Sequence, residues 1–395
     1  MPARSDSDSP DSSAPAAKLS AEETVRYSRH LMLPEIGLEG QSRLKQAKVL
    51  VVGAGGLGSP AAIYLAAAGI GTIGLADFDQ VEAHNLQRQI LHRDRDLGRA
   101  KTESGRDALA EWNPHLVVRL HPEGVTPDNA VELFSAYDFI LDGSDNFPTR
   151  YLTADAAHLA RRPLVYGSLF RFQGQVSVFD TARGGPCYRC LFPEAPTGEA
   201  VPNCAEAGVL GALCGVIGSL QATETIKRIL DIGQGLSGTL LIVDALDLHF
   251  QKIRIRKNPD CPLCSVSPGI TSLASHRKPP PDPPPMSTDL PFEMDPAEVH
   301  LLLQSDPLSM VLDVREPYER AICRIDDSLD LPMGQIPGSL DQIPEDRTLL
   351  VLCHHGHRSA RVVQFLRARG YEKVVNIRGG IDAWSRTVDP KIPRY

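Results

Sequence analysis

Three local arrangements of residues in this chain have the composition and spacing of chemical sites. Cys353 stands in the run Cys353-His-His-Gly-His-Arg358-Ser359, directly after the apolar stretch Leu349–Leu352 and ahead of a helical segment over Ala360–Arg369. A cysteine on a tight strand-to-helix turn faces loop amides and a helix N-terminus, which lower thiol pKa and stabilise an anion on sulfur. Arg358 and any protonated His354, His355 or His357 are expected to add positive charge there. Cys187-Tyr-Arg-Cys190 and Cys261-Pro-Leu-Cys264 form two Cys-x-x-Cys pairs. Together they supply the four thiolates of a tetrahedral zinc site; separately, each is a candidate redox pair. The third arrangement is the loop Gly53-Ala-Gly55-Gly56-Leu-Gly58.

That loop follows the strand-like Lys48–Val52 and opens a helix over Pro60–Ala68. Glycines let the turn close and let backbone N–H groups approach phosphate. Asp77 lies 19 residues after Gly58, at the end of the next strand-like run, where an acid binds a ribose hydroxyl. A nicotinamide or flavin dinucleotide would suit this much. Beyond it, Arg88 and Lys101 bring positive charge, and Leu141-Asp142-Gly-Ser-Asp145-Asn146 ends another strand-like run. A glycine cradle, a ribose acid, two cations and a second acid for Mg²⁺ suit a triphosphate better than a dinucleotide.

The elements that position these residues read as α/β. Short β-branched runs at Lys48–Val52, Thr72–Ala76, Asp138–Leu141 and Gln175–Phe179 alternate with helical patterns at Asp94–Asn113 and Gly208–Leu230. The alternation predicts a Rossmann-like domain with a mainly parallel sheet. Leu19–Arg43 reads as helical, opened by the capping pair Ser20 and Glu23. Six of the seven residues Pro279–Pro285 are proline, a stiff spacer. The reading is a disordered N-terminus over residues 1–18, a domain over 19–265, a linker over 266–290 and a second α/β domain over 291–395.

Composition limits the alternatives. The chain has 395 residues and a formal charge of −8, with 42% hydrophobic and 23% charged residues, so it is globular and a poor match for nucleic acid. The uncharged, glycine-containing stretch 207–223 falls short of the roughly 20 apolar residues of a membrane span. Residues 1–17 carry no apolar signal core, and eight cysteines are too few for a secreted disulfide scaffold. The expectation is a cytoplasmic protein bound neither to membrane nor to nucleic acid.

The combination Arg26-Tyr-Ser-Arg29, the glycine loop, Asp77-x-Asp-x-Val, Asn85-Leu-x-Arg88-Gln89, Lys101 and Asp145-Asn146 resembles the molybdopterin-synthase and thiamine-biosynthesis adenylyltransferases, relatives of ubiquitin-activating enzymes. The resemblance implies ATP-dependent adenylation of the C-terminal glycine of a ubiquitin-like sulfur-carrier protein. It implies Gly56, Asp77, Asn85, Arg88, Lys101 and Asn146 as ATP-binding, with Asp145 at Mg²⁺ and the reacting phosphate. Arg29 matches an arginine that reaches the other subunit's active site, implying a homodimer. His84 and His30 replace a usual Ser and Gln. The resemblance also favours structural zinc at Cys187, Cys190, Cys261 and Cys264. Cys204, at the end of a Pro/Gly-rich loop, is either a bland cap residue or, as in eukaryotic relatives, the acceptor of the activated carrier as a thioester.

The Cys353 loop, with Asp313-Val-Arg-Glu-Pro317 before it and Gly379-Gly-Ile-Asp-Ala-Trp384 after it, resembles a rhodanese domain. This implies that Cys353 carries sulfur as a persulfide, loaded by a donor such as a cysteine desulfurase or thiosulfate. Arg324-Ile-Asp-Asp327-Ser departs from the usual Ile-x-Gly-Ala and puts the local turn in doubt. A cysteine phosphatase would place five residues between Cys and Arg, whereas four separate Cys353 from Arg358. Together the resemblances imply a carrier thiocarboxylate as product, for molybdopterin, thiamine, cysteine or tRNA thiolation. A nicotinamide oxidoreductase and a non-catalytic carrier-binding scaffold are the competing classes.

Overall fold

The structure, a computed structural model, describes residues 18–194, 208–277 and 290–395. Residues 1–17, the loop bearing Cys204 and the proline run Pro279–Pro285 lie outside the described residues. The chain divides into two units, Met1–Pro280 and Pro281–Tyr395.

The first unit is built on one sheet. Its strands are β1 (Lys48–Val52), β2 (Thr72–Ala76), β3 (Val117–His121), β4 (Phe139–Asp142), β5 (Leu164–Phe170), β6 (Gln173–Phe179), β7 (Thr239–Asp244) and β8 (His249–Arg254). Their order is β3-β2-β1-β4-β5-β6-β7-β8. The first five pair in parallel, and the last three continue antiparallel. Helices Gly58–Ala68, Lys101–Trp112 and Phe147–Leu159 make the crossovers that parallel strands require. Residues 49–52 of β1 are buried and wholly apolar, as a strand covered on both faces must be. The chain leaves β1 toward β2 on one side and β4 lies on the other, so the loops after β1 and β4 meet at the switch point where such sheets bind ligands.

The Gly/Ala-rich segment expected to be buried forms the helix Gly211–Leu230. A Cβ on its Gly218 would stand 2.5 Å from Pro60 and 2.6 Å from the Leu57 carbonyl, so glycine is what lets this helix meet Gly58–Ala68 closely. No helix among the described residues is long and apolar enough to cross a membrane.

Two helical expectations are corrected. Leu19–Arg43 is not one helix but three, Ala21–Arg26, Ser28–Leu31 and Gly37–Gln46. The Ser20–Glu23 capping box forms, but Pro34 lacks a donor and Gly37 has φ +54°, so helix hydrogen bonding cannot run through. Asp94–Asn113 likewise splits into a 3₁₀ turn at Asp94–Asp96 and the helix Lys101–Trp112, separated by Gly98 at φ +80°.

The second unit holds strands β9 (Glu293–Met294), β10 (Ser309–Asp313), β11 (Leu329–Asp330), β12 (Thr348–Leu352) and β13 (Val374–Ile377). They form an all-parallel sheet in the order β11-β10-β12-β13-β9. Every residue of β12 is buried. The following helix is His357–Arg367, three residues earlier than its apolar pattern indicated, which places Arg358 and Ser359 in its first turn. At the unusual turn, Asp327 takes φ +62°, so an aspartate, one of the residues that tolerate the left-handed region, adopts the conformation a glycine would supply.

Candidate functional site

The loop after β1 is held from three sides. Gly53 turns it at φ +86°. The Ala54 N–H donates to Asp77 Oδ2 at 2.8 Å, and the Asp79 N–H donates to Asp77 Oδ1 at 2.9 Å. His92 places Nε2 2.9 Å from the Ala54 carbonyl and Nδ1 2.9 Å from Ser104 Oγ. Burial lowers the His92 pKa, which favours the neutral ring that such bridging uses. Burial pushes Asp77 up, while the Lys101 charge and the two backbone donors oppose the rise. A Cβ at Gly56 would stand 3.0 Å from Cys214 Sγ, so a side chain there would press into the cavity wall.

Six of the sequence-derived residues, Gly56, Asp77, Arg88, Lys101, Asp145 and Asn146, line this one cavity. Lys101 is buried and donates to Asp79 Oδ2 at 2.8 Å. Arg88 donates to the His84 carbonyl at 2.9 Å. Asp145 is exposed on the loop after β4. Asn146 caps the helix Phe147–Leu159 by accepting from the Thr149 N–H at 2.9 Å.

Two predicted residues stand elsewhere. Asn85 is buried but does not line the cavity: its Oδ1 accepts from the Glu82 N–H at 3.2 Å and its Nδ2 lies 3.0 Å from His84 Nε2, which shapes the turn leading to Arg88. Arg29 is exposed on the helix Ser28–Leu31, with Nη1 3.8 Å from Met32 Sδ, and does not reach the cavity of its own chain. Cys204 is outside the described residues.

Arg150 is a residue that sequence reasoning missed. It is buried, lines the same cavity and donates to the Ser144 carbonyl at 3.1 Å. Its guanidinium lies 5.6 Å from the Tyr166 ring centre. The only local signal was its place one turn into the helix that follows Asp145 and Asn146. Three cations, loop amides at a helix N-terminus and an acid suit a polyphosphate, whose oxygens need dispersed positive charge.

The four cysteines converge. Cys187 Sγ is 3.4 Å from Cys261 Sγ, Cys190 Sγ is 3.4 Å from Cys264 Sγ, and Cys187 and Cys190 are 3.8 Å apart. All four sulfurs lie within 4.8 Å of one another. A tetrahedral zinc with Zn–S bonds of about 2.3 Å would set sulfurs about 3.8 Å apart, so the donor set fits such an ion. Burial first, and the adjacent thiols next, push the Cys187 pKa far up; burial and hydrogen bonding with Cys190 push Cys264 up to about 11. A divalent cation lets such a cluster ionise together. Between the ligands, Arg189 grips Asp155 through two 2.8 Å bonds, and His276 Nε2 lies 2.7 Å from the same carboxylate. The cluster is therefore tied to the helix Phe147–Leu159.

In the second unit Cys353 follows β12 and is buried. The Gly356 N–H donates to its Sγ at 3.1 Å, and Ser359 Oγ donates at 3.2 Å. Ser359, quoted in the loop but given no role, is thus a sulfur contact. A Cβ at Gly380 would come within 2.3 Å of the Cys353 carbonyl, so glycine there lets the helix Gly380–Thr387 close on the loop. The expected cationic surround is corrected at two of its members, Arg358 and His354. Arg358 donates to Glu319 Oε2 at 2.7 Å and to Oε1 at 2.6 Å, so its charge is largely matched by a buried carboxylate. Burial lowers His354 to about 4, leaving it neutral at pH 7. The sulfur accepts from the Gly356 N–H and the Ser359 hydroxyl.

Residues 27–263 match the ThiF family and residues 295–387 match the rhodanese-like domain. A protein of Mycobacterium tuberculosis H37Rv named probable adenylyltransferase/sulfurtransferase MoeZ is 45% identical over 396 residues, covering 96% of this chain and 97% of its own. Adenylyltransferase and sulfurtransferase MOCS3 of Drosophila sechellia is 42% identical over 395 residues, covering 96% of this chain and 86% of its own. The structure of Escherichia coli MccB with ATP superposes with a TM-score of 0.52 at 24% identity, over 61% of this chain and 74% of that one, a likeness of fold. The chain belongs to the ThiF family, with a rhodanese-like domain in the same polypeptide, and is an adenylyltransferase and sulfurtransferase.

Proposed function

We propose that this enzyme adenylates the C-terminal glycine of a ubiquitin-like sulfur-carrier protein with ATP and then converts the adenylate to a thiocarboxylate with sulfur carried on Cys353. The observation that supports the first half most directly is the gathering of Lys101, Arg88, Arg150 and Asp145 around the Gly53–Gly58 loop. A carrier carboxylate oxygen attacks the α-phosphorus and pyrophosphate leaves. Lys101, Arg88 and Arg150 disperse the developing charge, and loop amides hold the phosphates. Asp77 is the ribose acid. Asp145 would hold Mg²⁺, which supplies further charge neutralisation at the phosphates. Arg29 is assigned to the cavity of a second copy, making the working unit a homodimer.

In the second half, a donor such as thiosulfate or a cysteine desulfurase loads sulfane sulfur onto the Cys353 thiolate. The acyl-adenylate is attacked either by this persulfide or first by Cys204, with AMP leaving in each case. In the Cys204 branch the persulfide then displaces Cys204 thiolate from the thioester. The resulting acyl disulfide is cleaved by a cellular thiol, which releases the thiocarboxylate and balances the electrons by leaving a disulfide. The cysteine cluster would hold structural zinc.

One experiment separates the halves. Asp145→Ala should abolish carrier-dependent ATP–pyrophosphate exchange. Cys353→Ser should keep exchange while losing thiocarboxylate formed from thiosulfate, read by mass spectrometry, and free sulfide should partly restore the product. Loss of exchange in a folded Cys353→Ser protein, or unchanged product from thiosulfate, would refute the division of labour. Cys204→Ser tests the branch: lost product with both half-activities intact places it on the transfer path.

A further inference from the structure

Segment 388–395 of the second unit returns across the Cys353 loop. The Tyr395 ring lies nearly parallel to the His354 imidazole, with centres 4.2 Å apart at 11°, and His354 stacks in turn on His355 at 3.9 Å and 20°. The Tyr395 hydroxyl accepts from Arg315 Nη1 at 2.9 Å and donates to Glu319 Oε1 at 3.3 Å. Arg315 is itself fully buried and held by Asp313 through three side-chain bonds. Glu319 is the same carboxylate that grips Arg358. The segment is pinned to the helix Gly380–Thr387 by Arg394 on Asp382 at 2.7 Å and by the Ser385 hydroxyl on the Ile392 carbonyl. One side chain therefore touches both ends of the sulfur loop, its start through His354 and its end through the Glu319–Arg358 pair.

We propose that Tyr395 is a positioning residue for sulfur transfer: by capping His354 and bracing the Glu319–Arg358 pair, it fixes the shape of the loop around Cys353 and shields the adjacent imidazole from water. This rests on the reading that Cys353 carries the sulfur. Shielding has a chemical consequence. A cation beside a sulfur anion lowers its basicity, and nucleophilicity falls with it. A neutral His354 leaves the persulfide reactive, with Gly356 and Ser359 hydrogen-bonding the sulfur. The charged and titratable groups facing His354 are His355 and Arg358, which disfavour its protonation, and Glu319 and Asp382, which favour it; Tyr395 lies over its ring. Burial outweighs the two acids while the ring is covered.

The test is thiosulfate–cyanide sulfurtransferase activity of the full chain, followed against pH. Thiosulfate passes its sulfane sulfur to the Cys353 thiolate as sulfite leaves; cyanide then takes the sulfur as thiocyanate and restores the thiolate. Tyr395→Ala should lower kcat roughly fivefold or more and introduce a new ionisation in kcat near the ordinary imidazole value of about 6.5. Tyr395→Phe retains the stack but loses the hydroxyl that braces the pair, so it should lower kcat less than Tyr395→Ala and introduce no new ionisation. Adding His354→Asn to Tyr395→Ala should remove the new ionisation. A Tyr395→Ala profile identical to wild type, or the new ionisation surviving His354→Asn, overturns the proposal. Should Tyr395→Ala fail to fold, the His354 ring of the wild-type chain decides by NMR: no titration above about pH 5.5 supports the shielding, and titration near about 6.5 overturns it. Cys353→Ser is the control: activity retained there overturns the sulfur reading and this inference with it. If Cys353→Ser is inactive and Tyr395→Ala matches wild type, this inference alone falls.

Discussion

Lys101 Nζ lies 2.8 Å from Asp79 Oδ2 at the edge of the glycine-loop cavity, and the lysine is buried while the aspartate is about half exposed. On the proposed reading this cation serves a phosphate that arrives through the cavity. ATP would compete with Asp79 for it, and the exposed acid can be rehydrated when the lysine turns to phosphate.

Lys101→Met should therefore reduce ATP–pyrophosphate exchange by about 10- to 100-fold. A hydrogen bond to a charged group contributes about 1.5–3 kcal/mol, and the variant loses one aimed at phosphate. Exchange kinetics at saturating carrier check this; a loss under about threefold would remove Lys101 from the phosphate site.

The cysteine geometry predicts about one zinc per chain in freshly purified protein, measured by elemental analysis. Cys261→Ser should release the metal and lower the melting temperature of the first unit, because Cys261 and Cys264 bring a late segment back to Cys187 and Cys190. Metal-free protein with unchanged melting would rule out a structural ion.

Arg29 is exposed and apart from its own cavity, which fits service to a neighbouring copy. Arg29→Ala and Asp145→Ala subunits should each lack exchange as homodimers. Mixed after subunit exchange, they should recover up to about a quarter of wild-type activity, since half the dimers are hybrid and each hybrid has one intact site out of two. No recovery in verified hybrids would leave Arg29 without its assigned role.

The Glu319–Arg358 pair makes the second unit acid-sensitive. Burial alone would raise the Glu319 pKa, but the hydrogen bonds and charge of Arg358 outweigh it and the net shift is downward. A carboxylate depressed in the folded state contributes stability above its unfolded pKa of about 4.3, and that contribution is lost as pH falls through the folded value. Glu319→Gln should cost about 3 kcal/mol at pH 7 by stranding a buried guanidinium. The gap between variant and wild type should close as pH falls below about 4, followed by thermal unfolding of the second unit. A gap unchanged at pH 3 would mean the pair does not titrate with folding.

Much of this protein was legible in order along the chain because the relevant physics is local. β1 and β2 stand where their β-branched runs indicated, since a strand buried on both faces must be continuously apolar. Gly53–Gly58, the two Cys-x-x-Cys pairs and the Cys353 loop are each set by turns a few residues long, where residue type decides the allowed backbone. Helix limits were less legible: Pro34, Gly37 and Gly98 interrupt patterns whose apolar spacing continues through them.

Tertiary structure decided what charge does. Arg358 reads as a cation for Cys353, yet Glu319, 39 residues earlier, takes it up because β10 and β12 are neighbours and the segments following them converge. His354 reads as a possible cation, yet Tyr395 covers it. Arg150 drew no role from the sequence, yet the neighbouring placement of β1 and β4 brings it to the cavity. Whether a side chain is charged, spent or available depends on burial and on partners far away in sequence, and those are set only when the sheet order brings distant loops together.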